Sequence, residues 1–401
     1  VQGSSRLHIA IEAPPWFEIP PHGYGGIEWI CYWLVEGLIA RGHHVTLIGA
    51  GRNHTNARFF QSYEHPPSER LGESLPEVLH AARCARALDG IAVDVIHTHM
   101  LAGPLLAPGR AAPTVATAHG PVASELGEYY RWAAPHIDMV AISQSQRGEA
   151  EDLPWVGTVY NGIPVAEYPY REQKEDYVLF LGRMCAEKGV HLAIDAARNA
   201  GVTIVVAAKC TEPAEQEYFA AEVAPRLGPG VEWIGPVGGN EKKELLSRAR
   251  CLVNPIQWRE PFGIVMVEAL ACGTPVVATR YGSVPEVVAH GVTGWIVDHP
   301  AALPEAVDRS KQIRPADCRR RAEAMFDTAR MVDGYEWIYR MVAAERLPRQ
   351  RALAPVAAPS TLEPVGSVGA VGSVGVGAVG SPGSGFPERR DGALSGGLVG
   401  S

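Results

Sequence analysis

The sequence predicts an α/β protein built of two doubly wound domains, on three observations. Short apolar runs alternate with helical segments, the alternation starts afresh near Tyr177, and no apolar run approaches the roughly 20 residues a membrane span requires.

The first series of runs is "LHIAI" (Leu7 to Ile11), "HVTLIG" (His44 to Gly49), "VDVIH" (Val93 to His97), "TVATA" (Thr114 to Ala118) and "DMVAIS" (Asp138 to Ser143). They are short and lack strict alternation, the pattern of strands covered on both faces. A helix from about Ile27 to Ala40 separates the first two, because Ile27, Ile30, Cys31, Leu34 and Leu38 recur at helical spacing and Gly42 follows its end.

The second series is "YVLFLG" (Tyr177 to Gly182), "VTIVVAA" (Val202 to Ala208), "VEWIG" (Val231 to Gly235), "CLVNP" (Cys251 to Pro255), "PVVAT" (Pro275 to Thr279) and "GWIVD" (Gly294 to Asp298). A connection over Val159 to Asp176 joins the two. Residues 1–165 and 166–315 are therefore expected to be the two domains, with C-terminal helices over 316–347. From Pro348 the chain turns to Ala, Pro, Gly, Val and Ser, as in "VGSVGAVGSVGVGAVGS" (Val365 to Ser381). So many glycines make ordering costly, and residues 348–401 read as a disordered tail, with elastin-like self-association as the other reading.

Composition narrows the function classes. The net charge is −8 with Lys and Arg spread along the chain, which argues against a basic face for nucleic acid. The cysteines number 7 and form no C-x2-C pair, so neither a disulfide framework nor a zinc ribbon is indicated. They read as small buried hydrophobes of a reducing compartment. "VQGSSRLHIA" lacks a basic stretch followed by a long apolar one, so the cytoplasm is the expected location.

Five segments carry chemistry. In "PPHGYGGIEW" (Pro20 to Trp29), glycines precede the first helix, whose free N–H groups suit a phosphate. Gly23, Gly25 and Glu28 give G-x-G-x-x-E rather than the dinucleotide fingerprint, and the loop stands well beyond the first strand, which disfavours NAD. A flexible glycine turn is the plain alternative. In "FLGRMCAEKGVHLAI", Arg183 and Lys188 follow a strand end, where two cations suit a diphosphate, although surface cations are commonly just solvated.

"REPFGIVMVEALACGTPVVAT" sets Glu260 and Glu268 eight residues apart. Were the interval wholly helical, about 12 Å would separate them along the axis, more than the roughly 5 to 9.5 Å between paired glycosidase carboxyls. Two carboxylates serving two hydroxylated ends of one ligand fit better, with the N–H groups around Phe262, Gly263 and Ile264 meeting phosphate between them. A capping Glu plus a solvated helix Glu remains open. His97 and His99 in "DVIHTHM" and His119 in "TAHGP" lie at strand ends; no acidic third ligand supports a metal there, and His119 reads as a hydrogen-bonding site residue.

Together these segments resemble a glycosyltransferase of family 4 with the GT-B fold, two Rossmann-like domains facing across a cleft. The resemblance runs from about Arg6 to Val342. It is strongest over "EPFGIVMVEALACGTPVVATRYGSVPEVV" (Glu260 to Val288), which resembles the E-x7-E motif and the GxPEVV segment after it; "NGIPVAEY" and "LGRMCAEKG" agree in order and spacing. "PPHGYGGIEW" and "EYFAAEVAPRLGPGVEWIGPVGGNEKKELLSRAR" resemble a branch that includes antibiotic-assembly glycosyltransferases.

The resemblance implies transfer of a sugar from a UDP- or GDP-linked donor to a small acceptor, with retention and without a bound metal or other cofactor. It implies that Arg183 and Lys188 bind the diphosphate, Glu268 the ribose and Glu260 the donor sugar. Gly25 and Gly26 would let the first helix approach the phosphates, and His119 would contact the sugar near the reacting carbon. The leaving phosphate oxygen would take the acceptor's proton. Where the family often has a glycine-rich turn this chain has "VVAAKCTEP" (Val205 to Pro213), so Lys209 is either a donor contact or solvated. "MVDGYEWIYRMV" (Met331 to Val342) suits a last helix crossing back to the first domain. Two other readings stand beside transfer: a non-catalytic sugar-nucleotide binding module and an epimerase of nucleotide sugars. Acceptor identity, expected to be set by loops around Trp16 to Tyr24 and Gly120 to Tyr130, the attacking atom and the oligomeric state stay open.

Overall fold

A computed structural model describes residues 6–23 and 25–352 of the chain, with side chains to residue 345. The expected low-complexity tail lies outside the described residues, except that its first residues, 348–352, carry helical backbone.

Two parallel sheets form. The first contains β1 (His8–Glu12), β2 (His44–Ala50), β3 (Arg58–Tyr63), β4 (Val95–Thr98), β5 (Thr114–Thr117), β6 (Ile137–Ala141) and β7 (Trp155–Thr158), in the order β3-β2-β1-β4-β5-β6-β7. The second contains β8 (Tyr177–Arg183), β9 (Thr203–Lys209), β10 (Val231–Trp233), β11 (Cys251–Asn254), β12 (Val276–Thr279) and β13 (Gly294–Val297), in the order β10-β9-β8-β11-β12-β13. Every predicted strand forms. Two were missed, β3 ("RFFQSY") and β7 ("WVGT"). Both are edge strands with mostly half-buried or exposed residues, so neither writes the continuous apolar run that marks an inner strand.

The helices are α1 (Gly26–Ala40), α2 (Ser74–Leu88), α3 (Ser124–Ala133) and α4 (Gln144–Glu149) in the first half. The rest are α5 (Val190–Asn199), α6 (Pro213–Tyr218), α7 (Gly239–Arg248), α8 (Ile264–Ala271), α9 (Val284–Val287), α10 (Leu303–Arg309), α11 (Pro315–Met325) and α12 (Thr328–Ala352). Gly42, at φ 86°, takes the left-handed turn past α1 as expected. Order reverses between β1 and β4 in one sheet and between β8 and β11 in the other, and clefts open at the carboxyl ends of strands at such reversals. The described cysteines are all free, five of them buried. No described helix is long and apolar enough to cross a membrane.

Long α12 packs on the first sheet's core. Val332, Tyr335, Ile338 and Tyr339 are buried with Ile30, Leu34 and Leu38 of α1. The helices approach closely at Gly37, where a Cβ would stand 2.5 Å from a methyl of Val332. Arg41 then pairs with Asp333 at 2.6 Å and Glu336 at 2.7 Å. A second tie joins the halves: Glu286 of α9 accepts from the N–H groups of Gln144 and Ser145, at 2.7 Å each, and from the Tyr160 hydroxyl at 2.9 Å. A carboxylate from the second half thus caps α4 of the first.

Ile338 is 1% exposed whereas its neighbour Trp337 is 61% exposed. Ile338→Ala should cost about 2–5 kcal/mol and lower the urea midpoint, while Trp337→Ala should change stability by less than about 0.5 kcal/mol.

Candidate active site

A cavity of about 290 Å³ lies between the two sheets. It brings together Gly25, Gly26 and His119 from the first half with Glu260, Phe262, Gly263 and Ile264 from the second, all predicted from sequence. Gly25 has φ 138° and caps α1; a Cβ there would come within 2.8 Å of Pro21. Gly26 faces open space, with nothing within 4 Å of where its Cβ would be, so a ligand can come close to the chain there.

Glu260 stands in a loop rather than on a helix. α8 starts at Ile264, so the 12 Å separation drawn from a continuous helix does not apply. Gly263, at φ 73°, turns the chain into α8, and a Cβ there would lie 2.6 Å from Met266. Gly282 supports the loop from below: its Cβ position is 2.2 Å from the Glu260 carbonyl oxygen. Ser283 adds a backbone N–H to that oxygen at 3.0 Å and a hydroxyl to the Phe262 carbonyl at 2.7 Å. The segment "GSVPEVV" therefore holds the loop that carries Glu260, a role its sequence does not reveal.

The Glu260 carboxylate is buried. It pairs with Lys188 and accepts from the Trp258 indole at 3.0 Å, and the Lys188 ammonium lies 5.3 Å from that ring's centre. Glu268 is 4% exposed, so it is not a solvated helix residue. Its Oε1 accepts from the Lys242 ammonium at 2.6 Å and the Tyr168 hydroxyl at 2.8 Å. Desolvation, then the charge of Glu268, pushes the Tyr168 phenol well above its usual range. Tyr168 and Lys242 were not singled out from sequence. One sits in the connection between domains and the other in "GGNEKKELL", and only the fold sets them beside Glu268.

Arg183 and Lys209 are the last residues of β8 and β9 and lie directly opposite in the parallel register. Arg183 is 3.7 Å from Glu187. Lys209 is not simply solvated: it pairs with Glu212 at 2.6 Å and Glu215 at 3.7 Å, and the first contact holds the Glu212 carboxyl below its usual range. Three cations, Arg183, Lys188 and Lys209, thus gather at one sheet edge.

His119 is held by a buried network. Its Nε2 is 2.8 Å from Nδ1 of His99, and the rings stack. His97 bonds the Tyr339 hydroxyl at 2.6 Å and the Thr117 hydroxyl at 2.7 Å, so the two imidazoles of "DVIHTHM" are core and support groups and do not pair on a metal. Nε2 of His99 is buried without a partner among the described residues. A buried lone pair is tolerated better than a buried N–H, so His99 donates from Nδ1 and His119 carries its proton on Nδ1. Burial pushes His119 down to about 4, leaving it neutral at physiological pH. The described residues whose ligand atoms converge within 4.8 Å are instead Glu18, His22 and His54, at the surface.

Known proteins resemble this chain along most of its length. Residues 24–167 match glycosyltransferase family 4, and residues 169–325 match the glycosyl transferases group 1 family. The alpha-maltose-1-phosphate synthase of Mycolicibacterium smegmatis is 31% identical over 339 residues, spanning 70% of this chain and 87% of that protein. The crystal structure of AviGT4, a glycosyltransferase involved in avilamycin A biosynthesis, superposes with a TM-score of 0.66 at 26% identity, covering 84% of this chain and 98% of that one. Anabaena HepE in complex with UDP-glucose shares the fold, with a TM-score of 0.64 at 18% identity over 86% of this chain and 100% of that one. The chain belongs to glycosyltransferase family 4 and has the GT-B fold of two Rossmann-like halves.

Proposed function

We propose that the protein is a retaining glycosyltransferase that moves a sugar from a UDP- or GDP-linked donor to a small acceptor. The observation that carries this reading is the set of cations at the carboxyl ends of β8 and β9, with Lys188 bonded to Glu260 at the cavity wall. Arg183 and Lys209 end adjacent strands and Lys188 follows one of them, places where a diphosphate can take over from the carboxylates that hold these cations. The likeness to AviGT4 supports an acceptor from specialised metabolism.

In this reading Arg183 and Lys188, with Lys209 beside them, hold the diphosphate. They stabilise the charge that builds on it as the anomeric carbon–oxygen bond breaks and its electron pair passes to the phosphate oxygen. Glu268, oriented by Tyr168 and Lys242, binds the ribose hydroxyls, and N–H groups of Phe262 to Ile264 approach the phosphates. Glu260 binds hydroxyls of the donor sugar, and neutral His119 donates to the sugar from Nδ1. The acceptor attacks on the face the phosphate leaves, and its proton goes to the departing phosphate oxygen. No resident metal or organic cofactor enters these steps.

Binding and rate measurements test the assignment. In calorimetric titrations with UDP and GDP, Glu268→Gln should weaken the bound nucleotide by about tenfold or more, or ~1.4 kcal/mol, whereas Glu260→Gln should leave affinity unchanged or raise it by releasing Lys188. Glu260→Gln should instead lower kcat; equal loss of nucleotide affinity in both variants defeats the division of labour. Incubation with UDP- and GDP-sugars should give free nucleoside diphosphate only when acceptor is present. An isomerised sugar would indicate an epimerase, and saturable binding without turnover a binding module. His119→Ala should reduce kcat by about 10²-fold, on the scale of losing one transition-state donor, and pH-rate curves should carry no limb from this imidazole above about 5.

A further inference from the structure

One carboxylate on the cavity wall has no part in the reading above. Glu28, in the first turn of α1, is 3% exposed. Among the described residues no other side chain bonds it; it folds back toward its own backbone and against Gly25, where a Cβ would come within 3.2 Å of Oε2. A carboxylate can complement a helix N-terminus from the surface, without being withdrawn from water. Withdrawing one from water is costly, and burial raises Glu28 from its usual range to about 7.

The surroundings define what it faces. Trp16, Phe17, Leu71 and Ile27, all from the first half, line the same cavity. No lysine or arginine is among the lining residues; Lys188 reaches the cavity only through its pair with Glu260. An anionic acceptor would meet two carboxylates and no free cation there. Aromatic faces beside a hydrogen-bond-accepting carboxylate suit the apolar faces and hydroxyls of a sugar-like ring.

Building on the transferase reading, we propose that Glu28 is the acceptor-binding carboxylate, and that the acceptor is an uncharged hydroxylated ring, such as a saccharide, whose hydroxyl it accepts a hydrogen bond from. The carboxylate form does the binding, so acceptor affinity rises as pH increases through about 7 and is lost below it. Among the described residues, the titratable groups around Glu28 are Cys31 on the same helix, His119 from the loop after β5, and Glu260 with Lys188. Burial drives the Cys31 thiol well up and His119 down to about 4, so neither produces a transition near 7.

The test is saturation-transfer NMR on the full chain with UDP or GDP present, using methyl α-glucoside, methyl α-mannoside, glucosamine and glucose 1-phosphate as probes. A neutral methyl glycoside should bind, about 10- to 100-fold more weakly in E28Q. Wild type and E28D should lose affinity between pH 8 and pH 6, and E28Q should be flat. Calorimetry should show nucleotide binding unchanged in E28Q, which separates this proposal from the donor assignment: failure of wild type to bind either nucleotide defeats the donor reading and leaves the glycoside result standing. The proposal is overturned by preferred binding of glucose 1-phosphate or glucosamine, by no glycoside binding, by a pH limb that survives in E28Q, or by equal weakening of nucleotide.

Discussion

Ammonium groups partly withdrawn from water are each held against a carboxylate, and these ion pairs organise the carboxyl edge of the second sheet. Lys188, Lys209 and Lys242 have side chains 19, 20 and 25% exposed, and each is paired, with Glu260, Glu212 and Glu268 in turn. The two glutamates of the E-x7-E motif fix the positions of Lys188 and Lys242, and the loop around Glu260 is built to hold its carboxylate still. Gly263 supplies a turn that a larger residue would block, and Gly282 lets a second strand–helix loop lie directly under the backbone of Glu260.

The same logic of satisfied polar groups runs through the first half. His97, Thr117, Tyr335 and Tyr339 are buried and bonded to one another, and the two tyrosines belong to α12. Next to them, His99 fixes the proton position of His119 through a single 2.8 Å contact. A helix from the far end of the chain thus helps set the hydrogen-bonding character of a residue on the cavity wall. Charged residues do this work in the second half; neutral rings and hydroxyls do it in the first, where burial suppresses protonation of all three imidazoles.

Inner strands were legible because burial on both faces leaves an apolar run that needs no partner to be recognised. Edge strands β3 and β7 were not, since half their side chains meet water. At the site, residues on one strand–loop–helix unit could be read from spacing: Arg183 with Lys188, and Glu260 with Glu268. The groups that orient them could not. Tyr168 and Lys242 reach Glu268 from 100 and 26 residues away, and His99 reaches His119 across two adjacent strands. Such partners are chosen by topology, and nothing local distinguishes them from solvated neighbours. The one geometric inference that failed, the helical distance between the glutamates, assumed regular structure where glycine imposes a turn.

Glu286 links the two halves in a way that bears on their mobility. With Ser143 bonding Gln146 N–H at 3.0 Å, it leaves the first three N–H groups of α4 satisfied, two of them by the opposite half. Separating the halves must therefore uncap a helix, at about 0.5–2 kcal/mol. That corresponds to a roughly 2- to 30-fold bias toward the arrangement in which the cap is made.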